Sequence, residues 1–256
     1  MKISPRGITR RAFIRKSTDV SFAVAAGATM SGAGATVAQL QPVVVLVRDP
    51  DVIDAGRGVN QTVLARMLDE GIAALTGKQS PRDAWKQLID PDDVVGIKSN
   101  AWGPLPTPEE LESAVVSRLG QAGVDSSKMS VDDRGVRRNP VFQGSTALIN
   151  MRPMRTHHWS GVGGCLKNYI MFTESPPRYH ADSCANLGSI WLRPELKAKT
   201  RLNVLVMLNP LFGGSGPHHF ESRFTWPYSG VLLSTDPVAI DSVGLKILEN
   251  RRCEYF

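Results

Sequence analysis

Residues 39–256 predict a single α/β domain: a mostly parallel sheet with helices on both faces and an irregular Gly/Pro-rich insertion. Three observations carry this. Short β-branched apolar runs recur along the chain, stretches with helical apolar spacing separate them, and helix-start signals stand between the two. Strands that alternate with helices are best satisfied by a parallel sheet covered on both sides.

The elements follow in order. Val43 to Val47 is an unbroken apolar run with the brevity of a buried strand. From Asn60 to Leu75, Val63, Leu64, Met67, Leu68, Ile72 and Leu75 fall on one helical stripe. Ser80-Pro81 supplies a cap and first turn for a short helix to Ile89. Val94 to Lys98 reads as a strand. Pro108 to Gln121 reads as a helix whose first turn carries Glu109, Glu110 and Glu112, where the helix dipole favours negative charge. Met129–Asp132, Ala147–Met151, Leu202–Leu208 and Val231–Leu233 are the remaining strands. Asp236-Pro237 caps a final helix to about Asn250, and because the chain ends soon after, a further element is expected to be missing. Residues 134–200 are the least regular part.

Residues 1–38 are set apart. Thr9-Arg10-Arg11-Ala12-Phe13-Ile14-Arg15-Lys16 precedes an Ala/Gly-rich stretch, and Thr36-Val37-Ala38 offers the small residues a signal peptidase reads. The pattern resembles a twin-arginine signal peptide. That implies export in the folded state through the twin-arginine translocase, cleavage after Ala38, a periplasmic or other extracytoplasmic location, and no stable membrane insertion afterwards. A retained anchor is the competing reading, weakened by the Gly, Ser and Thr content of the stretch.

The leader also accounts for the basicity. The whole chain is +6, but residues 1–38 hold six basic residues and one acidic, a net of +5, which leaves +1 for the rest. A phosphate-backbone footprint needs a clustered basic surplus, so nucleic acid is not an expected partner. Cys165, Cys184 and Cys253 are three cysteines without a CxxC, which excludes a disulfide framework and an iron–sulfur cluster held by this chain alone.

Polar groups gather where the predicted strands end, the usual ligand edge of a parallel sheet. These are Lys98-Ser99-Asn100, Asp132-Asp133, and Asn209 with the Gly213–His219 loop. Asn, Asp and Gly are also ordinary turn residues, so a plain loop remains the alternative. Gly161-Val162-Gly163-Gly164-Cys165-Leu166-Lys167-Asn168 lacks the GxxxxGK[ST] spacing of a phosphate loop and the third glycine of GxGxxG. It leaves Gly163 and Gly164 as backbone able to approach a ligand, with Lys167 to neutralise an anion. The five histidines are His157, His158, His180, His218 and His219. They suit acid–base roles for His157 and His158, with Lys167 beside them, or a divalent metal held by His180, His218 and Asp132. No HExxH and no GxSxG elbow is present.

Five motifs in order carry a family resemblance: Val95-Gly96-Ile97-Lys98-Ser99-Asn100, His157-His158, Leu166-Lys167-Asn168, Gly213 to Pro217, and Asp236-Pro237-Val238-Ala239-Ile240-Asp241. Together they resemble the domain of unknown function 362 family (DUF362), in its twin-arginine-exported branch without ferredoxin cysteines. The resemblance implies an α/β domain and marks Lys98, Asn100, His157 or His158, Lys167, Asn168, Asp236 and Asp241 as positions that fit the pattern. The expected function is an exported enzyme that uses a metal or small cofactor and acts on a small anionic ligand. A non-catalytic ligand-binding or redox-maturation partner protein is the alternative.

Overall fold

The computed structural model describes residues 42–54, 56, 58–214, 216 and 219–256. The proposed leader, its cleavage point and His218 lie outside the described residues. Seven strands form one sheet: β1 (Val45–Arg48), β2 (Val95–Lys98), β3 (Met129–Asp132), β4 (Ala147–His157), β5 (Gly161–Gly163), β6 (Thr200–Leu211) and β7 (Gly230–Ser234). Six of them run in the order β1-β7-β6-β4-β2-β3, with β5 hairpinned onto the far end of β4. The β2–β3, β2–β4 and β4–β6 pairs are parallel, and β7 inserts antiparallel between β6 and β1. Five of the seven strands therefore point the same way, as the alternating pattern predicts.

Among the described residues eight α-helices cover the sheet. On one face lie α1 (Gln61–Thr76), α2 (Pro81–Leu88) and α3 (Glu109–Ala122). The stripe of α1 packs Leu64, Met67, Leu68 and Ile72 against Val231 and Leu233, and α3 adds Leu111, Val115 and Leu119 beside Val95 and Ile97. Asn60 caps α1 and Ser80 caps α2, each through its side-chain oxygen. The opposite face carries α4 (Pro140–Gln143), α5 (Cys165–Asn168), α6 (Leu187–Trp191), α7 (Pro194–Lys197) and α8 (Pro237–Tyr255). Here the apolar contacts divide into two clusters, one around Leu205, Met207, Phe212 and Ile240, the other around Phe142, Leu148, Tyr169 and Ile190. Along β4 the side chains between them are Asn150 and Arg152, both buried. This face therefore has a polar seam where the other is continuously apolar.

β4 departs furthest from the sequence expectation, and β5 was not expected. The apolar signal for β4 stops at Met151, yet the strand continues through Arg152, Pro153, Met154, Arg155, Thr156 and His157, every residue of it buried. Hydrophobic periodicity cannot see a strand extension whose side chains are polar and covered by the insertion. β6 lengthens in parallel with it, Arg155 pairing with Leu211 across an irregularity near Pro153. Together β4 and β6 overhang β2, whose last residue Lys98 pairs with Asn150. The overhang is the platform of the site. Among the described residues no helix is long and apolar enough to cross a membrane.

Candidate functional site

Lys98 ends β2 pointing to the seam side of the sheet and is 1% exposed. Its Nζ donates to Asp133 Oδ1 at 2.5 Å, to the Ser99 carbonyl at 2.6 Å and to Asn168 Oδ1 at 3.2 Å. Burial outweighs the help of Asp133 and pulls the Lys98 ammonium down to about 8. Burial alone would oppose ionisation of Asp133, but the charge and hydrogen bond of Lys98 hold its carboxylate below the usual range. The other Asp133 oxygen accepts from the Ala101 amide at 3.0 Å.

Asn168, at the end of α5, is the hub. Its Oδ1 accepts from Lys98 and, at 3.3 Å, from Asn100 Nδ2. Its Nδ2 lies 2.8 Å from Asn150 Oδ1, 3.1 Å from the Met151 carbonyl and 3.2 Å from the Ser99 carbonyl. Asn150 passes the chain on to the Cys165 carbonyl and to Asn203 Oδ1, which also accepts from the Tyr169 hydroxyl. A buried amide with every partner satisfied is a structural clamp. Asn168 and Lys98, both expected at a ligand site, hydrogen-bond to each other.

Gly163 and Gly164 lie tightly against protein side chains. A Cβ on Gly163 would stand 2.8 Å from an Arg152 Nη, and one on Gly164 would collide with the Asp241 carboxylate. Their backbone makes room for protein side chains. Asp241, from the first turns of α8, accepts the Cys165 amide at 2.6 Å and the Leu166 amide at 2.9 Å, capping α5. Burial raises its carboxyl to about 6, although these two amides and Arg152 favour the charge. Asp236 does not join this group. Its Oδ1 accepts from Val238 and Ala239 at 2.7 and 3.0 Å as the cap of α8, two residues beyond the end of β7.

Beyond the clamp the overhang is strongly cationic. Arg152 and Arg155 are 4% and 3% exposed, and the Nε of each is buried without a hydrogen-bond partner. Arg155 donates to Asn100 Oδ1 at 3.0 Å and stacks 4.4 Å from the ring centroid of Trp102, which in turn meets Phe220 edge-on at 5.9 Å. Burial lowers both guanidinium values, that of Arg155 more, because Arg152 repels it. Lys167, 4% exposed, is drawn to about 8, first by burial and then by these two arginines. Of the four cations Lys98, Arg152, Arg155 and Lys167, only Lys98 has a carboxylate within 4 Å among the described residues.

The histidines close the site. Lys167 Nζ lies 2.9 Å from His180 Nε2, and since an ammonium only donates, that nitrogen accepts. Nδ1 of His157 accepts the Trp159 and Ser160 amides at 3.3 Å each, so its proton sits on Nε2. Burial, then Lys167 and Arg152, press His157 down to about 2, which keeps it neutral. His158 donates from Nδ1 to the Gly216 carbonyl at 3.2 Å. The His157 ring stacks on His158 and His180, with centroids 5.1 and 6.0 Å away. The structure thus brings His157, His158, His180 and Lys167 together. It does not bring Asp132 to them: that carboxylate closes its own turn through the Gly135 amide and Asn139. Among the described residues no group of three or more His, Cys, Asp or Glu stands ready to hold a metal.

Arg152, Arg155, Asn150 and Asn203 were not legible as site residues. The available signal was the pair of arginines directly after a buried apolar run, a place where charge is costly unless it has work or a partner.

Fold and site define an α/β protein with a satisfied amide clamp and an unsatisfied cation cluster at the carboxyl edge of its parallel strands. The model of the family described as "Domain of unknown function (DUF362)" matches residues 97–246, from β2 into α8, and the chain belongs to that family. Comparison with curated proteins and with solved structures gives no match.

Proposed function

We propose that this chain binds a small anion, a carboxylate or phosphate, on Arg152, Arg155 and Lys167 at the overhanging end of β4. One observation carries the reading: two buried guanidiniums whose Nε atoms lack partners, next to a buried lysine without a carboxylate. An arginine does not readily shed its proton, so burial leaves it a charge that an anion would neutralise. Trp102, in the loop from Asn100 to Thr107 closed by a 2.8 Å amide–carbonyl bond, roofs Arg155 and would lift to admit the ligand.

An enzymatic role draws support from Lys167 and its histidines. An ammonium drawn to about 8 and aimed at an imidazole can exchange a proton near neutral pH, and His157 presents an Nε2–H donor. A divalent metal, for which His180, His218 and Asp132 were expected as ligands, gains no support from the geometry: His180 Nε2 is engaged by Lys167 and Asp132 serves its own turn. A binding protein of the cell envelope would use the same cluster without proton transfer. The leader motif supports export by the twin-arginine translocase and a periplasmic setting for either role.

The test is titration with orthophosphate and with mono- and dicarboxylates, followed by the fluorescence of Trp102. A saturable change that Arg155→Gln abolishes, and that weakens above pH 8 as Lys167 loses its charge, is the expected result. No saturable response to any of these anions would refute the reading.

A further inference from the structure

A second basic feature lies outside the buried cluster. A cleft of about 650 Å³ opens in the insertion, lined by Arg137, Arg178, Arg193, Tyr179, Asn186 and Ser189, among others. An adjoining hollow of about 340 Å³ shares Arg137 and Glu174 with it and adds Arg134 and Arg138. The three arginines of the main cleft come from separate segments. Arg137 stands in the turn between β3 and α4, Arg178 in the 3₁₀ turn Pro176–His180, and Arg193 at the cap of α7.

Little within the protein neutralises them. Glu174 is the one carboxylate of the lining; its side chain is 90% exposed and it reaches Arg137 at 3.4 Å. Arg193 has only a 3.4 Å contact with the Tyr179 hydroxyl, a neutral group. The rest of the lining is rich in hydroxyls and amides, which an apolar ligand would leave unpaired. The volume lies within the range of small-molecule sites. Guanidinium forks converging from three directions match an ion that offers several separated anionic oxygens, better than one compact charge.

We propose that this cleft binds a small molecule carrying two or more linked phosphate groups, with Arg137, Arg178 and Arg193 as its anchors. The site shares no residue with the buried cluster. The wall they have in common is the Pro176–His180 turn, which presents Arg178 and Tyr179 to the cleft and His180 to Lys167.

Calorimetric titration of the full chain with inorganic triphosphate, ATP and orthophosphate tests this. Triphosphate and ATP should bind one to one and at least about tenfold more tightly than orthophosphate. Arg178→Gln and Arg193→Gln should each weaken triphosphate by about tenfold or more, the scale of one charge-assisted contact. Arg178 is exposed and Arg193 half-buried with one 3.4 Å contact to a neutral hydroxyl, so both variants should still unfold cooperatively, and Arg82→Gln on α2 should leave binding intact. Equal affinity for triphosphate and ATP would make the phosphate chain the ligand, and tighter ATP a nucleotide, each in support. Absence of triphosphate binding would overturn the proposal. So would binding that survives the Arg178→Gln/Arg193→Gln double change, or binding that Arg155→Gln abolishes while those two spare it.

Discussion

Replacing Asn168 with leucine keeps the volume of a buried side chain and deletes its hydrogen bonds. Two acceptor contacts, from Lys98 and Asn100, are lost outright. On the donor side three oxygens lie within reach, but an amide has two hydrogens, so two bonds are counted. At a net of about 1 kcal/mol for each of the four, the loss is about 4 kcal/mol. Lys98 keeps Asp133 and the Ser99 carbonyl, which argues against a much larger figure. For a domain of this size each kcal/mol moves the midpoint by about 2–4 °C, so Tm should fall by roughly 8–16 °C. Differential scanning calorimetry at pH 7 is the assay, with circular dichroism at low temperature to confirm that the variant folds. A fall under about 2 °C with an intact cooperative transition would refute the assignment of Asn168 as the clamp, since it corresponds to no more than about 1 kcal/mol in a domain of this size.

The remaining predictions concern charge and fit. Asp241 holds its proton more tightly folded than unfolded, because burial lifts it from 3.8 to about 6. Its favourable contribution is therefore complete below pH 3.8 and is lost as pH rises through about 6. Relative to Asp241→Asn, the natural protein should lose on the order of 3 kcal/mol of stability between pH 4 and pH 7; a difference that stays flat in denaturant melts would contradict this. Arg155→Met removes a buried cation at the cost of one hydrogen bond and the Trp102 stack, so stability at pH 7 should hold or rise while anion binding disappears. A loss above about 2 kcal/mol in urea unfolding would mean that the charge is already compensated. Gly164→Ala drives a methyl into Asp241 and should cost about 1–3 kcal/mol, whereas Gly103→Ala, with nothing within 4 Å of its Cβ, should be near neutral. Equal melting temperatures for the two would overturn the packing argument.

The sequence determined the architecture because local rules suffice for it. The α1 stripe, the Asn60, Ser80 and Asp236 caps and the β-branched runs each follow from backbone geometry and burial, and the structure keeps all of them within a few residues. Sequence also singled out Lys98, Asn100, His157, Lys167, Asn168 and Asp241, which do meet in space. What it could not decide was their division of labour. Lys98 and Asn168 became a clamp, and Gly163 and Gly164 became space for Arg152 and Asp241, because partners 11 to 77 residues away in the chain arrive there only when the sheet closes. The polar half of β4 was hidden for the same reason. Its arginines are buried by the overhang and by the insertion above it, and neither cover is written in the spacing of the strand itself.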